Sequence, residues 1–352
     1  MRKIDGYRFP AIAVFCVLIT FFLVGLSGAA AADPKPMVEK MAHMWPTTSW
    51  PGRSIHIFGD GIEKATNGRI KFKYFLDGTL YSDYDSVTKS VIDGVQPFCF
   101  MYPPMLAVYD QRWNALMLPG AITSMEQLQK VHYESKEYQK LQEEFEAKTG
   151  ARVLFWELII PYGDIPFNTK RPLASVEDWK GLKMRSAPMD LQQLAIKAFG
   201  ASPIVLQTSE TLSALSLGTV DGGIITPGTA MTSWKADETL PYLTVPQGGW
   251  SFNTSMCGFL VNMKWWNKLP KDLQDAILKE LPEIVKTSQL DVDQTNAKLF
   301  EKYKASPKNK VTYLTEEQTK VWDDLIQQKV LPQIFENTPG MKKLYEDFRT
   351  FQ

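Results

Sequence analysis

This chain has no excess charge of either sign: 39 Lys and Arg stand against 39 Asp and Glu in 352 residues. Without a basic surplus or a basic run, nucleic acid is not an expected partner. Histidine is scarce. His43, His56 and His132 lie far apart, and none has metal-ligand spacing with another His or with Cys. The catalytic signatures are missing as well. "GWSFN" at 249–253 fails the G-x-S-x-G pattern at its last position, and "GDGIEK" at 59–64 lacks the third glycine of a dinucleotide loop. No G-x-x-x-x-G-K-[ST] phosphate loop occurs. These absences imply neither cofactor nor metal, and they lean toward a protein that binds rather than converts.

Cysteine is nearly absent, with three in the chain. Cys16 falls in an apolar leader. "MRKIDGYR" is a basic head, "FPAIAVFCVLITFFLVGLSG" an apolar run, and "AAAAD" supplies small residues at Ala30 and Ala32. This is the pattern of a secretory signal, residues 1–32, cleaved after Ala32; the rival reading is an uncleaved anchor. "AVF" before Cys16 is not a lipoprotein context. No second long apolar run follows, so a soluble mature protein is expected in the periplasm. An oxidising compartment permits a Cys99–Cys257 disulfide. Both cysteines sit in apolar, strand-like runs, which favours two small buried hydrophobes.

What is present reads as α/β. Strand "MVEKMAHMW", helix "SIHIFGDGIEKATNG", strand "RIKFKYF", helix "SDYDSVTKSVIDG" capped by Ser82, and strand "VQPFCFMY" alternate in the rhythm of a largely parallel sheet covered by helices. Ser124 to Gly150 reads as one long amphipathic helix opened by a capping box at Ser124 and Gln127. "ARVLFWELII", "LKMR", "PIVL" and "TVDGGIITPG" are further strands. Between them lie the helices "DLQQLAIKAF" and "TSETLSALSLG", the latter capped by Thr208 or Ser209. Near the end runs a very long helical pattern that Pro282 is expected to kink or divide.

One stretch is more specific. Over residues 176–223 stand Gly181-Leu182-Lys183-Met184-Arg185, Gly200-Ala201-Ser202-Pro203, Ser209-Glu210, Ala214-Leu215 and Gly218-Thr219-Val220-Asp221-Gly222. In order and spacing this resembles the solute-binding subunits of tripartite ATP-independent periplasmic (TRAP) transporters. The resemblance implies an α/β, two-domain periplasmic binding protein fold with crossover strands and a long C-terminal spine helix near 271–305. Residues 33–161 with 252–290 would form one domain, and 162–251 with 291–352 the other. It further implies capture of a small organic acid and delivery to membrane permease subunits. An exported hydrolase or lyase of small acids, or a sensor module for a membrane kinase, are the other readings.

The resemblance makes Arg185 the grip on the ligand's acid group. A guanidinium can give a carboxylate or a sulfonate two parallel hydrogen bonds. "LKMR" sets it at a strand's carboxyl end, where open α/β sheets hold ligands. Many family members carry a second arginine twenty positions upstream; here that position is Ile165. Arg171 is close by but matches a less informative position, and Ile225 and Thr226 stand where an Asn is common. A mono-anion with one strong anchor is therefore expected. Thr208, Thr226, Trp156, Glu157, Tyr162, Trp45, Tyr102 and Trp250 complete the candidate lining, and Asp164 follows in the Tyr162 segment. Glu210 reads as a first-turn helix residue, and Asp221-Gly222 as a turn.

Overall fold

The computed structural model describes residues 35–159 and 163–352; the signal segment and Tyr162 lie outside the described residues. In chain order the first elements are β1 (Met37–Ala42), α1 (Trp50–Ala65), β2 (Ile70–Phe75), α2 (Tyr84–Ile92), β3 (Phe98–Met101) and α3 (Pro103–Ala107). Next come α4 (Met125–Glu134), α5 (Lys136–Thr149), β4 (Ala151–Leu158), β5 (Ile165–Asn168), β6 (Lys183–Ser186), α6 (Asp190–Ala198), β7 (Ser202–Val205) and α7 (Thr208–Ser216). They are followed by β8 (Gly222–Ile225), α8 (Pro227–Ser233), α9 (Ala236–Thr239), β9 (Tyr242–Val245), β10 (Met256–Asn262) and α10 (Met263–Trp266). The chain finishes with α11 (Lys271–Ala305), β11 (Lys310–Tyr313), α12 (Glu316–Leu325), α13 (Leu331–Asn337) and α14 (Met341–Arg349).

The sheets are more mixed than a strand–helix alternation suggests. β1 and β2 pair in parallel, while β10 inserts antiparallel between β3 and β4. The larger sheet has the order β11-β9-β5-β8-β6-β7, with β5 antiparallel to both of its neighbours. The chain passes three times between these two sheets, from Leu158 to Ile165, from Val245 to Met256 and, by way of α11, from Asn262 to Lys310. Local periodicity cannot reveal β10, because its partners are far away in sequence. Gln96 ties β1 to the approach of β3 through its side chain, accepting the Ala42 N–H at 2.7 Å and donating to the Ala42 carbonyl at 3.3 Å.

Several local expectations need correction. The 124–150 helix is two helices, broken at Ser135. That residue is extended at ψ 119°, and its hydroxyl caps α5 by accepting the Tyr138 N–H. Pro282 does not divide α11, which runs unbroken for 35 residues, about 52 Å at 1.5 Å per residue. Asp83, not Ser82, caps α2. Gln207 precedes α7, and the Glu210 carboxylate accepts its N–H at 2.8 Å, which frees the Thr208 hydroxyl. Cys99 and Cys257, by contrast, are buried free thiols, as their apolar strand-like runs favoured. Gly222 is a strand residue rather than a turn residue. In the β5–β8 ladder it faces Asn168, and a Cβ there would lie 2.0 Å from the Phe167 carbonyl oxygen.

Apolar burial forms three clusters. One lies under β1, α1, the β3-β10-β4 sheet and the first half of α11. A second lies under β5, β8 and β9 and ends on Phe300 and Tyr303 of α11. The third joins α2, α5 and β4 to α6 and α12 through the rings of Trp179, Phe199, Phe252 and Trp322. α11 therefore braces both sheets, and the Tyr303 hydroxyl anchors its far end by donating to the Leu240 carbonyl at 2.6 Å.

Candidate functional site

Strand ends build the site. Trp45 follows β1, Tyr84 opens α2 after β2, and Tyr102 follows β3. Arg185 lies near the end of β6, Thr208 opens α7 after β7, and Thr226 follows β8. Each therefore sits at or beyond the carboxyl end of its strand, where α/β sheets present side chains to ligands.

Arg185 is 3% exposed. Its Nε donates to the Leu206 carbonyl at 3.0 Å, and one Nη2 hydrogen goes to the Thr208 hydroxyl at 3.2 Å. The Trp234 ring lies under the guanidinium, 5.3 Å from centroid to Cζ, and its Nε1 donates to the Thr208 carbonyl at 3.2 Å. This cradle orients the fork and leaves its outer N–H groups without an acceptor among the described residues. Burial lowers the guanidinium pKa to about 10, with Asp164 and Tyr84 opposing the shift, so the charge persists at neutral pH. Room for the cradle comes from Gly223, which pairs with Arg185 across β8–β6. A Cβ at Gly223 would stand 2.9 Å from the Trp234 ring and 3.1 Å from the Arg185 Cβ.

Facing Arg185 from the β1–β3 side is an aromatic group. Trp45 contacts Tyr84 and Tyr102 at centroid distances of 5.8 and 6.0 Å, and Tyr84 contacts Tyr102 at 6.2 Å. Burial pushes the Tyr84 hydroxyl up to about 12, although Arg185 pulls it down. Burial also drives Tyr102 well above the usual phenol range, with Cys257, Tyr84, Glu157 and Asp164 adding to the shift. Both phenols are thus neutral O–H groups. Asp164 belongs to the same neighbourhood. Burial raises its carboxyl to about 6, against the pull of Asn253, Arg185, the Thr226 N–H and Gln192.

The other candidates named from the sequence separate from this group. Trp156 is committed to the core: its Nε1 donates to the Tyr138 hydroxyl at 2.8 Å and its ring packs on Trp113. Glu157 is 1% exposed and turned to the opposite face of β4. There it accepts the Cys257 thiol at 3.2 Å, with the Ser288 and Ser54 hydroxyls also bonding to it. Trp250 donates to the Asp323 carboxylate at 2.9 Å and packs on Phe252 and Trp322. Thr226 is the exception and stays at the edge of the group: it is 4% exposed, its hydroxyl bonds to Thr229 at 2.9 Å and its N–H bonds to Asp164. Ile165 is fully buried in β5, and Arg171 spends its guanidinium on the Asp178 and Lys180 carbonyls. Asp221 knits β6 to its neighbour, accepting the Lys183 N–H at 2.9 Å and pairing with Lys170 at 3.2 Å. Two residues of the site, Tyr84 and Trp234, are not marked by the sequence motifs. The strand-end rule would have found Tyr84. No local signal marks Trp234, which closes α8 and reaches Arg185 only through the fold.

Among the described residues no helix is long and apolar enough to cross a membrane, and no cluster of three or more His, Cys, Asp and Glu could hold a metal ion. Residues 41–338 match the family model "Bacterial extracellular solute-binding protein, family 7". The chain is 26% identical over 313 residues to the C4-dicarboxylate-binding periplasmic protein DctP of Rhodobacter capsulatus, covering 87% of this chain and 89% of that protein. It is 27% identical over 297 residues to the sialic acid-binding periplasmic protein SiaP of Vibrio cholerae, covering 84% and 88%. A solved TRAP periplasmic solute-binding protein from Chromohalobacter salexigens, with bound D-glucuronate, superposes with a TM-score of 0.76 at 17% identity, covering 89% of this chain and all of that one. The sugar acid binding protein DctPAm from Advenella mimigardefordensis, in complex with galactonate, gives 0.75 at 20% identity, covering 91% and 100%. The fold is thus the two-domain α/β fold of these binding proteins, with α11 as its long late helix. The chain belongs to the family 7 bacterial extracellular solute-binding proteins, the DctP family of TRAP transporters, and is a binding protein rather than an enzyme.

Proposed function

We propose that this protein captures a small organic acid in the periplasm, seats its carboxylate on Arg185, and delivers it to the membrane permease subunits of a TRAP transporter. The observation that carries this reading is the Arg185 cradle: a buried, oriented guanidinium whose outer N–H groups lack an acceptor among the described residues. A charge-assisted hydrogen bond contributes about 1.5–3 kcal/mol net, so a fork that makes two of them is worth about a hundredfold or more in affinity. Thr208 holds the fork. Tyr84, Tyr102 and Trp45 offer hydroxyls and ring faces to the rest of the ligand, and Thr226 borders the same group. Relatives in the family support the chemistry, since they include binding proteins for C4-dicarboxylates, sialic acid and sugar acids. Among these, the single anchor and the Ile165 departure favour an acid that presents one carboxylate.

The test is calorimetric titration of the purified protein with mono- and dicarboxylates, sugar acids and sulfonates, alongside native mass spectrometry for a co-purified acid. An acid should bind, and Arg185→Ala should weaken that binding about a hundredfold or more. Retained affinity in Arg185→Ala, with the same ligand, overturns the reading.

A further inference from the structure

Asp164 lies outside the motif that first pointed to Arg185, yet it occupies the same site. Its backbone is fixed, the N–H donating to the Asn253 carbonyl at 3.2 Å and the C=O accepting the Phe252 N–H at 3.0 Å. Its Oδ2 accepts two amide donors, Gln192 Nε2 at 2.9 Å and Asn253 Nδ2 at 3.0 Å. The directions of those amides are set by the network. Gln192 Oε1 accepts the Ala187 N–H at 2.8 Å, so its NH2 must face Asp164; that same NH2 also donates to Asn253 Oδ1 at 3.0 Å, which turns the Asn253 NH2 to Asp164 as well. Gln192 is 1% exposed and Asn253 is fully buried. The surroundings therefore provide donors only, and they require an acceptor at position 164.

This carboxylate forms no direct pair with Arg185; the two act on each other through space. Arg185 and Asp164 together bring one positive and one negative charge, with Tyr84 and Tyr102 neutral. A dicarboxylate that put its second acid group at Asp164 would set like charges together in a half-buried place, where water screens them poorly. A ligand with a hydrogen-bond donor there instead adds an attractive contact to a carboxylate that already faces the Gln192, Asn253 and Thr226 donors.

We propose that Asp164 is the second recognition point of the site, selecting acids that carry a hydroxyl or ammonium donor near the carboxylate and rejecting dicarboxylates. The inference rests on the Arg185 reading and narrows its ligand class. With its pKa near 6, Asp164 is ionised at pH 8, where selection is full.

The experiment titrates wild type and Asp164→Asn at pH 8 with two matched sets. The four-carbon set is butyrate, 2-hydroxybutyrate, 2-aminobutyrate and succinate; the six-carbon set is hexanoate, gluconate and glucarate. In at least one set the donor-bearing mono-acid should bind about tenfold or more tighter than its unsubstituted partner and than its diacid. The hydroxy and amino arms tell which donor is meant. In Asp164→Asn, where the amide oxygen can still accept from Gln192 and Asn253, that advantage should fall severalfold and the diacid should gain. Equal binding of substituted and unsubstituted acids by wild type overturns the inference, as does selectivity that survives in Asp164→Asn, while either result leaves the Arg185 reading standing. If the variant does not fold, the wild-type ranking decides alone. Failure of every acid, including those of the wider panel, overturns both.

Discussion

At the scale of a residue, position matters as much as charge. Arg185 is held at three points, by the Leu206 carbonyl, the Thr208 hydroxyl and the Trp234 ring, which spend one edge of the guanidinium and aim the other. A lysine keeps the charge but has neither the planar fork nor the stacking surface. Arg185→Lys should therefore weaken binding of the best acid about tenfold or more while keeping some of it. Calorimetry against wild type and Arg185→Ala checks this, and a lysine variant equal to wild type would show that only the charge counts. Thr208→Val removes the hydroxyl and keeps the shape. It should lower affinity about threefold to tenfold, the worth of a single hydrogen bond, without moving the unfolding midpoint by much.

At the scale of an element, β8 makes the room that the anchor needs. Gly223 faces Arg185 in the parallel β6–β8 register, and the absence of a Cβ lets Trp234 slide beneath the guanidinium. Trp234 is fully buried, so its ring has little freedom to retreat. Gly223→Ala should thus cost about 1–3 kcal/mol of stability by overpacking, and it should also weaken acid binding by displacing the cradle. Urea denaturation with parallel titrations reads both. Gly222→Ala, whose Cβ would meet the Phe167 carbonyl oxygen instead, should cost stability with a smaller effect on binding. The comparison separates strain in the ladder from strain in the site. Most of these elements were legible from local patterns: helix periodicity in α1 and α6, the alternation of β2, the glycines after α5 and α7. The breaks were not. Ser135 reads as one more helix residue because its neighbours keep a helical period on both sides, and only its extended backbone splits α4 from α5. β10 reads as an apolar run with no direction, since its two partners come from residues 98–101 and 151–158. In the proposed site, Arg185 and the strand-end residues Trp45, Tyr102 and Thr208 are the candidates that strand ends and the motif suggest and that the fold leaves near one another. Trp156, Glu157 and Trp250 did not join them, because a side chain's face on a strand or loop is decided by what packs against it.

At the scale of the molecule, the β3-β10-β4 sheet and the six-stranded sheet share α11, a core and the hydrogen-bonded cluster of Asp164, Gln192 and Asn253, and Asp164 in that cluster and His132 in the core respond to pH in opposite senses. His132 is buried between α4 and β4, its Nδ1 2.9 Å from the Tyr138 hydroxyl; burial, aided by Arg152, lowers its pKa from 6.5 to about 4. Between pH 6.5 and 4 the unfolded chain binds the extra proton, so this residue's contribution to stability falls as pH falls, by up to about 1.4 kcal/mol per unit. Asp164 behaves in reverse. Its folded pKa of about 6 stands above the unfolded 3.8, so in that window the folded chain binds the extra proton and stability gains on acidification. The replacement side chains in His132→Gln and Asp164→Asn do not titrate. Relative to wild type, His132→Gln should therefore look less damaging at pH 5 than at pH 7.5, by about 2 kcal/mol, and Asp164→Asn more damaging, by about 1 kcal/mol. Urea denaturation of the three proteins at both pH values measures the two differences. Same-sign shifts in both variants would mean that Asp164 is held below the usual carboxylate range in the folded chain, the pull of Arg185 outweighing burial, and no shift in Asp164→Asn would mean an ordinary exposed carboxylate.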